Sequence, residues 1–291
     1  MNSMSNATVG SQRRMRALAF ISFLAIASLL TTTVLHFTSS SSPLCPLPSP
    51  LPPHLFDALV HYALVSNASS SHMHSSDLLA ISAVLRRRTP CNLLVFGLGP
   101  ETLLWRALNH GGRTVFLDEN EYFTSLFEQR HPGLEAYDVA YTTKVSEFSD
   151  LLSAVRAKVK GECRPVQNLL FSDCRLAIND LPNQLYDVAW DVIVIDGPSG
   201  YSPASPGRAS AIFTAAVMAR SQALRPTEVL VHDYERELER VFSDEFLCAE
   251  NMVGTTGKLA HFVVQPNAAT AAAADFCVNH SATSSPADIP P

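Results

Sequence analysis

The stretch Asn92–Asn120, NLLVFGLGPETLLWRALNHGGRTVFLDEN, restricts the chain to few folds. An apolar run ends in a Gly-x-Gly turn, a helical stretch follows, and a second apolar run ends in acids. That order opens a βαβ unit, whose first turn lets a ligand approach the backbone closely. Trp190–Gly200, WDVIVIDGPSG, is another apolar run, ending in the acid Asp196. Apolar runs without alternation suit strands buried on both faces. Acids at the carboxyl ends of such strands stand where open α/β sheets bind their ligands.

The alternation continues along the chain and predicts an α/β fold, a Rossmann-like sheet with helices on both faces. Strands are expected at Leu93–Gly97, Thr114–Leu117, Glu135–Tyr141, Val166–Phe171, Val192–Ile195 and Val229–Val231. Helices are expected from the Gly-x-Gly turn to Asn109, at Tyr122–Arg130, Ser146–Lys160, Arg208–Ser221 and Tyr234–Phe242. Met252-Val253 and Leu259–Val264 form a closing hairpin across Gly254–Gly257. Two short amphipathic helices, His54–Val65 and Asp77–Arg88, come before the first strand, with Asp77 as the N-cap of the second. The run Arg86–Arg88 reads as a solvated helix end. His72 and His74, in the loop between these helices, read as solvent-exposed.

The N-terminus carries a different signal. Arg13, Arg14 and Arg16 precede Ala17–Phe37, twenty-one residues without Asp, Glu, Lys or Arg. At about 1.5 Å per residue this span crosses a bilayer core of roughly 30 Å. The basic flank places residues 1–16 in the cytoplasm and the rest in the lumen. Thr38–Pro53 is Ser/Pro-rich and, extended to residue 76, reads as a stem. Residues 77–266 form the folded domain and 267–291, rich in Ala, Ser and Pro, a flexible tail. All six cysteines lie beyond the apolar span, where disulfides are permitted, and no C-x-x-C marks a zinc or redox site. Asn67 and Asn279 head glycosylation sequons usable only in the lumen, whereas that of Asn6 faces the cytoplasm. The net charge of −6 and the lack of a basic stripe argue against a nucleic-acid partner.

The candidate site groups at strand ends. Gly97 and Gly99 open the first turn, and unpaired N–H groups at the following helix start can meet a ligand. The third glycine of a dinucleotide fingerprint is missing, which argues against a pyrophosphate and against a nicotinamide-dependent oxidoreductase. Asp118 and Glu119 end the second strand about twenty residues on, the place for a carboxylate that accepts ribose hydroxyls. S-adenosylmethionine fits this set, with a ribose, an adenine and no phosphate. Asp196 ends the fourth core strand, and His232 and Asp233 end the fifth. Two carboxylates and an imidazole can orient a sugar hydroxyl, take its proton, or hold a divalent cation. Asp173, Arg175, Asn179, Asp180 and Arg208 can line an acceptor groove by contacts to hydroxyls and uronates.

With these residues on the page, the chain resembles the plant proteins of secondary-wall xylan synthesis that include the glucuronoxylan 4-O-methyltransferases and the irregular-xylem-fifteen proteins. The matching phrases are PCNLLVFGLGPETLLWRALNHGGRTVFLDEN, YTTKVSEFSDLL, CRPVQNLLFSDCRLAINDLP, YDVAWDVIVIDGP, PGRASAIFTAAVMAR, VHDYERELERVFSDEFLC and LAHFVV. CRPVQNLLFSDC and HDYER resemble the irregular-xylem-fifteen branch most. The resemblance implies a single-pass type II Golgi membrane protein with a methyltransferase-type sheet, S-adenosylmethionine as cofactor, glucuronic acid side chains of xylan as acceptor, and other xylan-synthesis proteins as partners. It carries the cofactor onto Gly97, Gly99 and Asp118 or Glu119, and a functional acid onto Asp196. Methyltransferase members are similar but read Asp-Ala-Pro where this chain has Asp196-Gly197-Pro198, and His-Asp-Val where it has His232-Asp233-Tyr234. The branch that this chain resembles is tied to xylan formation without an established catalytic role, so a non-catalytic Golgi component with the same fold is the alternative.

Overall fold

The structure is a computed structural model that describes residues 49–66, 73–221, 225–266 and 275–278. The expected span Ala17–Phe37, the cytoplasmic tail, His72 and the three sequons lie outside the described residues, as do much of the stem and of the tail. Among the described residues no helix is long and apolar enough to cross a membrane.

Helices α1 (Pro53–Ser66) and α2 (Ser75–Arg88) lead into a seven-stranded sheet. Its strands are β1 (Asn92–Phe96), β2 (Arg113–Asp118), β3 (Glu135–Asp138), β4 (Val192–Ile195), β5 (Thr227–Val231), β6 (Met252–Thr256) and β7 (Leu259–Val264). The spatial order is β3-β2-β1-β4-β5-β7-β6. The first five are parallel, and β7 runs antiparallel to both its neighbours. The order reverses between β1 and β4, the switch point at which open sheets leave a crevice.

The apolar strands are buried on both faces because alternate side chains feed two cores. Leu93, Val95, Phe116, Val194 and Leu230 pack under α1, α2 and α3 (Thr102–Leu108). Leu94, Phe96, Val115, Ile193 and Val229 pack under α5 (Phe148–Lys158), α6 (Ala209–Ser221) and α7 (Glu237–Ser243). Helix α4 (Glu121–Arg130) connects β2 to β3 and is capped by the Asn120 side chain.

Several sequence expectations need correcting. Val166–Phe171 is not a strand; it lies in an irregular insertion pinned by the Cys163–Cys174 disulfide, with only a single 3₁₀ turn at Leu169–Phe171. Asp77 does not cap α2. His74 does, and Asp77 falls on the same face as Leu78, Ile81 and Val84 and is fully buried. The basic run at the end of α2 is not simply solvated: Arg88 bonds the carbonyls of Asp191 and Pro226, and Arg87 pairs with Glu228. The hairpin turns at Gly257-Lys258, so Gly254–Thr256 belong to β6.

The second disulfide, Cys248–Cys277, staples a segment from beyond β7 onto the domain. Phe276 then stacks against Phe213 and Phe246, and its carbonyl accepts a bond from the buried Arg220. Cys91 is a buried free thiol.

The turns after β1 and β4 meet backbone to backbone. Gly97 has φ +108°, and a β-carbon on it would lie 3.1 Å from the Asp196 carbonyl carbon and the Gly197 nitrogen. Gly97→Ala therefore combines a forbidden φ with a clash against main chain. It is expected to cost roughly 1–3 kcal/mol, read as a lower denaturation midpoint in urea. An unchanged midpoint would refute this geometry.

Candidate functional site

The parallel register aligns the ends of the central strands. Phe96 pairs with Leu117 and with Ile195, and Ile195 pairs with Val231. The residues that follow, Gly97, Asp118, Asp196 and His232, therefore emerge side by side at the carboxyl edge.

His232 lies between two carboxylates. Its Nδ1 is 2.8 Å from Asp196 Oδ1, an oxygen set off the N–H direction, and its Nε2 is 3.4 Å from Asp77 Oδ2. Asp77 reaches this point from α2, on the far side of the sheet's edge from β4. The same Oδ2 accepts the Lys258 N–H, and Ser76 donates to Oδ1. The hairpin turn, the start of α2 and the end of β5 are thus joined through one buried acid.

Arg208 is also buried. Its Nη1 donates to the His232 carbonyl at 2.6 Å and to Asp233 Oδ2 at 2.9 Å, and its Nη2 donates to the Asp196 carbonyl at 2.9 Å and to Asp196 Oδ1 at 3.3 Å. One guanidinium fork thereby locks the ends of β4 and β5 together. Asp233 has φ +58°, rare for a residue with a side chain, and its Oδ2 also pairs with Arg236 at 3.0 Å. The arginines and the neighbouring imidazole outweigh burial and hold its carboxyl below the usual carboxylate range.

Asp196 is the acid of this cluster that keeps access to solvent, with a third of its side chain exposed. Its Oδ1 faces His232 and Arg208, while Oδ2 has no partner among the described residues. Both ring nitrogens of His232 are shielded from solvent, and Asp233 is enclosed, so Asp196 Oδ2 is the oxygen of this cluster that a molecule at this end of the sheet can reach.

On the other side of the β1 turn, Asp118 ties two loops to β2. Its Oδ2 accepts the Leu98 N–H at 2.8 Å and its Oδ1 accepts the Asn120 N–H at 2.9 Å. Burial raises its pKa, with these N–H groups pulling the other way. Glu119 reaches across the β1 turn and accepts the Ser199 N–H at 3.1 Å from the loop after β4. Gly99 has open space beside it, its nearest neighbour being Glu101 Oε2 at 3.6 Å from a built β-carbon. The Tyr141 hydroxyl, buried without a hydrogen-bond partner among the described residues, faces this acidic group; burial and the charges of Asp118, Glu119 and Asp180 push its pKa up.

The His232 pKa is raised. Desolvation alone would lower it, but the contact and charge of Asp196 and the charge of Asp233 outweigh that. A raised folded pKa means that the imidazolium stabilises the fold fully below its unfolded value of about 6.5, and that this contribution is lost as pH rises through the folded value. Calorimetric unfolding is expected to show stability declining with pH above about 6.5, a decline that His232→Gln removes. The same slope in both proteins would contradict the arrangement.

All seven residues singled out from the sequence, Gly97, Gly99, Asp118, Glu119, Asp196, His232 and Asp233, lie at this edge, in two groups joined across Gly97. Asp77 and Arg236 were missed as site residues, and Arg208 was misplaced, since it is buried under the cluster and lines no groove. A signal existed for two of them. An arginine heading the uncharged, largely apolar Ala209–Ala219 must find acids, and an Asp at helical spacing with Ile81 and Val84 must point inward. Arg175 is engaged with Glu147, Asp180 with the Ala140 N–H, and Asn179 with the Ser172 carbonyl. The acids of β4 and β5 do not fit a divalent cation, because two guanidinium groups and an imidazole already face them. Among the described residues the one other donor group that converges, Cys248, Glu250 and Cys277, has both sulfurs in a disulfide.

Known proteins match most of this chain. The family model described as IRX15/IRX15L/GXM matches residues 76–262. The chain is 51% identical to Protein IRX15-LIKE of Arabidopsis thaliana, over 88% of this chain and 86% of that protein. It is 50% identical to Protein IRREGULAR XYLEM 15 of the same plant, over 87% and 86%. It is 41% identical to Glucuronoxylan 4-O-methyltransferase 3, also of that plant, over 78% and 74%.

Proposed function

Because the chain belongs to the IRX15/IRX15L/GXM family, we propose that it serves xylan synthesis in the plant cell wall as an S-adenosylmethionine-dependent polysaccharide O-methyltransferase acting on glucuronic acid side chains. The observation that carries this reading is the open oxygen of Asp196, Oδ2, beside the Gly97 turn at the switch point. Residues Gly97 and Gly99 give a nucleoside room to approach, and the remaining lone pairs of Asp118 and Glu119 suit ribose hydroxyls. S-adenosylmethionine, when bound, supplies an electrophilic methyl group. Asp196 Oδ2 takes the proton of the acceptor hydroxyl, while His232 and Arg208 hold Oδ1 and so fix the carboxylate's direction. The type II Golgi anchorage by residues 17–37, with the domain in the lumen, belongs to the same proposal; the disulfides Cys163–Cys174 and Cys248–Cys277 support an oxidising compartment.

Calorimetric titration of S-adenosylmethionine into the full-length protein tests it. Micromolar binding is expected, weakened by about tenfold or more in Glu119→Ala, the loss of one or two charged hydrogen bonds. No binding by correctly folded protein would sink the enzyme reading.

The second reading, a non-catalytic component of the xylan machinery, rests on how closed this end is. Both oxygens of Asp118 already hold backbone N–H groups. A β-carbon on Gly197 would lie 2.8 Å from Gly97 Cα, so the Asp-Ala-Pro of the methyltransferase members needs these turns further apart.

A further inference from the structure

A second cavity, with mainly apolar walls and a few polar groups, lies next to the Asp196 cluster, and its chemistry differs from that of the Gly97 crevice. It has a volume of about 210 Å³ between the loop after β4 and the start of α7, with Val145, Phe148 and Leu238 as apolar walls and Gly200, Arg236, Glu237 and Glu239 as the other lining residues. That is smaller than the ~300–1,000 Å³ of pockets that take drug-sized molecules. A nucleoside cofactor is too large for it, whereas a single sugar ring is of the right order.

Its polar groups are unevenly satisfied. Arg236 pairs with Asp233 through Nη2, but its Nη1, sheltered from bulk solvent, has no partner among the described residues. A buried guanidinium N–H without an acceptor is costly and calls for one. Tyr201 lays its ring over the same guanidinium, with Cζ 4.6 Å from the ring centroid, yet 80% of the residue remains exposed. An exposed aromatic ring set over a guanidinium that lines the cavity offers an apolar platform, the feature that the C–H faces of sugars stack against. Glu239 is buried and in no ion pair among the described residues, and desolvation pushes its pKa up; its carboxyl can bond a hydroxyl in either protonation state. The cavity also stands close to the reacting end of the sheet: Arg236 touches Asp233 at 3.0 Å, Asp233 touches Arg208 at 2.9 Å, and Arg208 touches Asp196 at 3.3 Å.

We infer that this cavity is the acceptor subsite, taking one carboxylated sugar ring with its carboxylate on Arg236 Nη1, a hydroxyl on Glu239 and its face on Tyr201. The inference rests on the proposed function for the placement of the reacting hydroxyl, but binding of the sugar requires no methyl donor. Arg236 and Tyr201 thereby become specificity-determining residues, and Asp196 remains the group that meets the hydroxyl.

Gly200 provides a direct test. Its φ is not positive, and a β-carbon there sits in ordinary contact, 3.4 Å from Glu239 Oε1 and 3.5 Å from Arg236 Nη1. Gly200→Val therefore sets its methyl groups against both polar groups, and its unfolding midpoint is measured alongside to show that the variant is folded. Tyr201→Ala removes the platform from an exposed position. The experiment titrates a xylo-oligosaccharide bearing one glucuronic acid into the full-length protein, and then the same oligosaccharide with that carboxyl reduced to an alcohol. The acidic sugar is expected to bind about tenfold or more tightly than the neutral one, the worth of one charge-assisted bond; Gly200→Val is expected to lose that preference, and Tyr201→Ala to weaken both sugars alike. Equal affinity of the unaltered protein for the two sugars, a preference that survives Gly200→Val, or unchanged affinities in Tyr201→Ala overturns the assignment. Binding of S-adenosylmethionine without any of the acidic sugar also overturns it and leaves the methyltransferase reading standing. Pocket-dependent binding of the acidic sugar without S-adenosylmethionine supports the subsite and removes the methyltransferase reading instead.

Discussion

Replacing Arg208 with methionine is expected to lower the unfolding temperature by on the order of 10 °C. The arginine is 3% exposed and bonds four oxygens on two strands, the carbonyls of Asp196 and His232 and the carboxylates of Asp196 and Asp233. Methionine matches much of the side chain's length and apolar contact but supplies no donor. Asp233 would then stay enclosed with Arg236 as its main cationic neighbour, and the β4 and β5 ends would lose their link. Removing one member of a buried charge pair costs roughly 3–5 kcal/mol. In a domain of this size each kcal/mol shifts the midpoint by about 2–4 °C. Differential scanning calorimetry reads the change directly, and a shift smaller than about 3 °C would mean that the fork is dispensable.

Asp196→Asn is expected to behave in the opposite way, sparing the fold and removing the chemistry. Asparagine keeps an oxygen for Arg208 and for His232 and leaves the β4 end where it is. It cannot accept a proton at Oδ2. Loss of a positioned general base typically costs about 10²–10⁴ in rate, so methyl transfer to acidic xylan fragments should fall by that factor while S-adenosylmethionine binding is retained. Xylan synthesis in plants complemented with the variant gives the in vivo counterpart. Full rescue of xylan synthesis by Asp196→Asn, with no methyl transfer by either protein, would place the protein among scaffolds; undiminished methyl transfer would remove Asp196 as the base.

The sequence told much about this end of the molecule because the signals there are local. An apolar run of three or four residues followed by glycine or a titratable residue marks both a strand and its carboxyl end, and Gly97, Asp118, Asp196 and His232 all follow such runs. The alternating order then restricts how the strands can be arranged. What could not be read were contacts that depend on distant segments. Asp77 joins His232 only because α2 folds over the β5–β7 edge, and nothing local distinguishes it from a cap. Arg236 is one of several charges at a helix start with nothing local to single it out, and its unpaired Nη1 depends on where the loop through Gly200 and Tyr201 settles. The pairings Cys163–Cys174 and Cys248–Cys277 were open for the same reason, since spacing alone allows other combinations. Val166–Phe171 reads as a strand from its apolar residues, but Leu169 and Leu170 reach the core from a 3₁₀ turn and Val166 and Phe171 stay exposed, so the run has no sheet partner.

The Cys248–Cys277 staple bears on how the protein has to be produced. Its loop spans 29 residues, for which chain entropy predicts about 3–4 kcal/mol of stabilisation. Once reduced, Phe276 can leave its place against Phe213 and Phe246, and the Arg220 guanidinium loses the carbonyl it bonds there while remaining enclosed. Recombinant material from a reducing bacterial cytosol would therefore have a solvent-exposed aromatic surface and a tendency to precipitate. Export to the periplasm or secretion from insect or plant cells would yield the soluble form. A binding assay that comes up empty on cytosolic material would report on the production host and not on the protein.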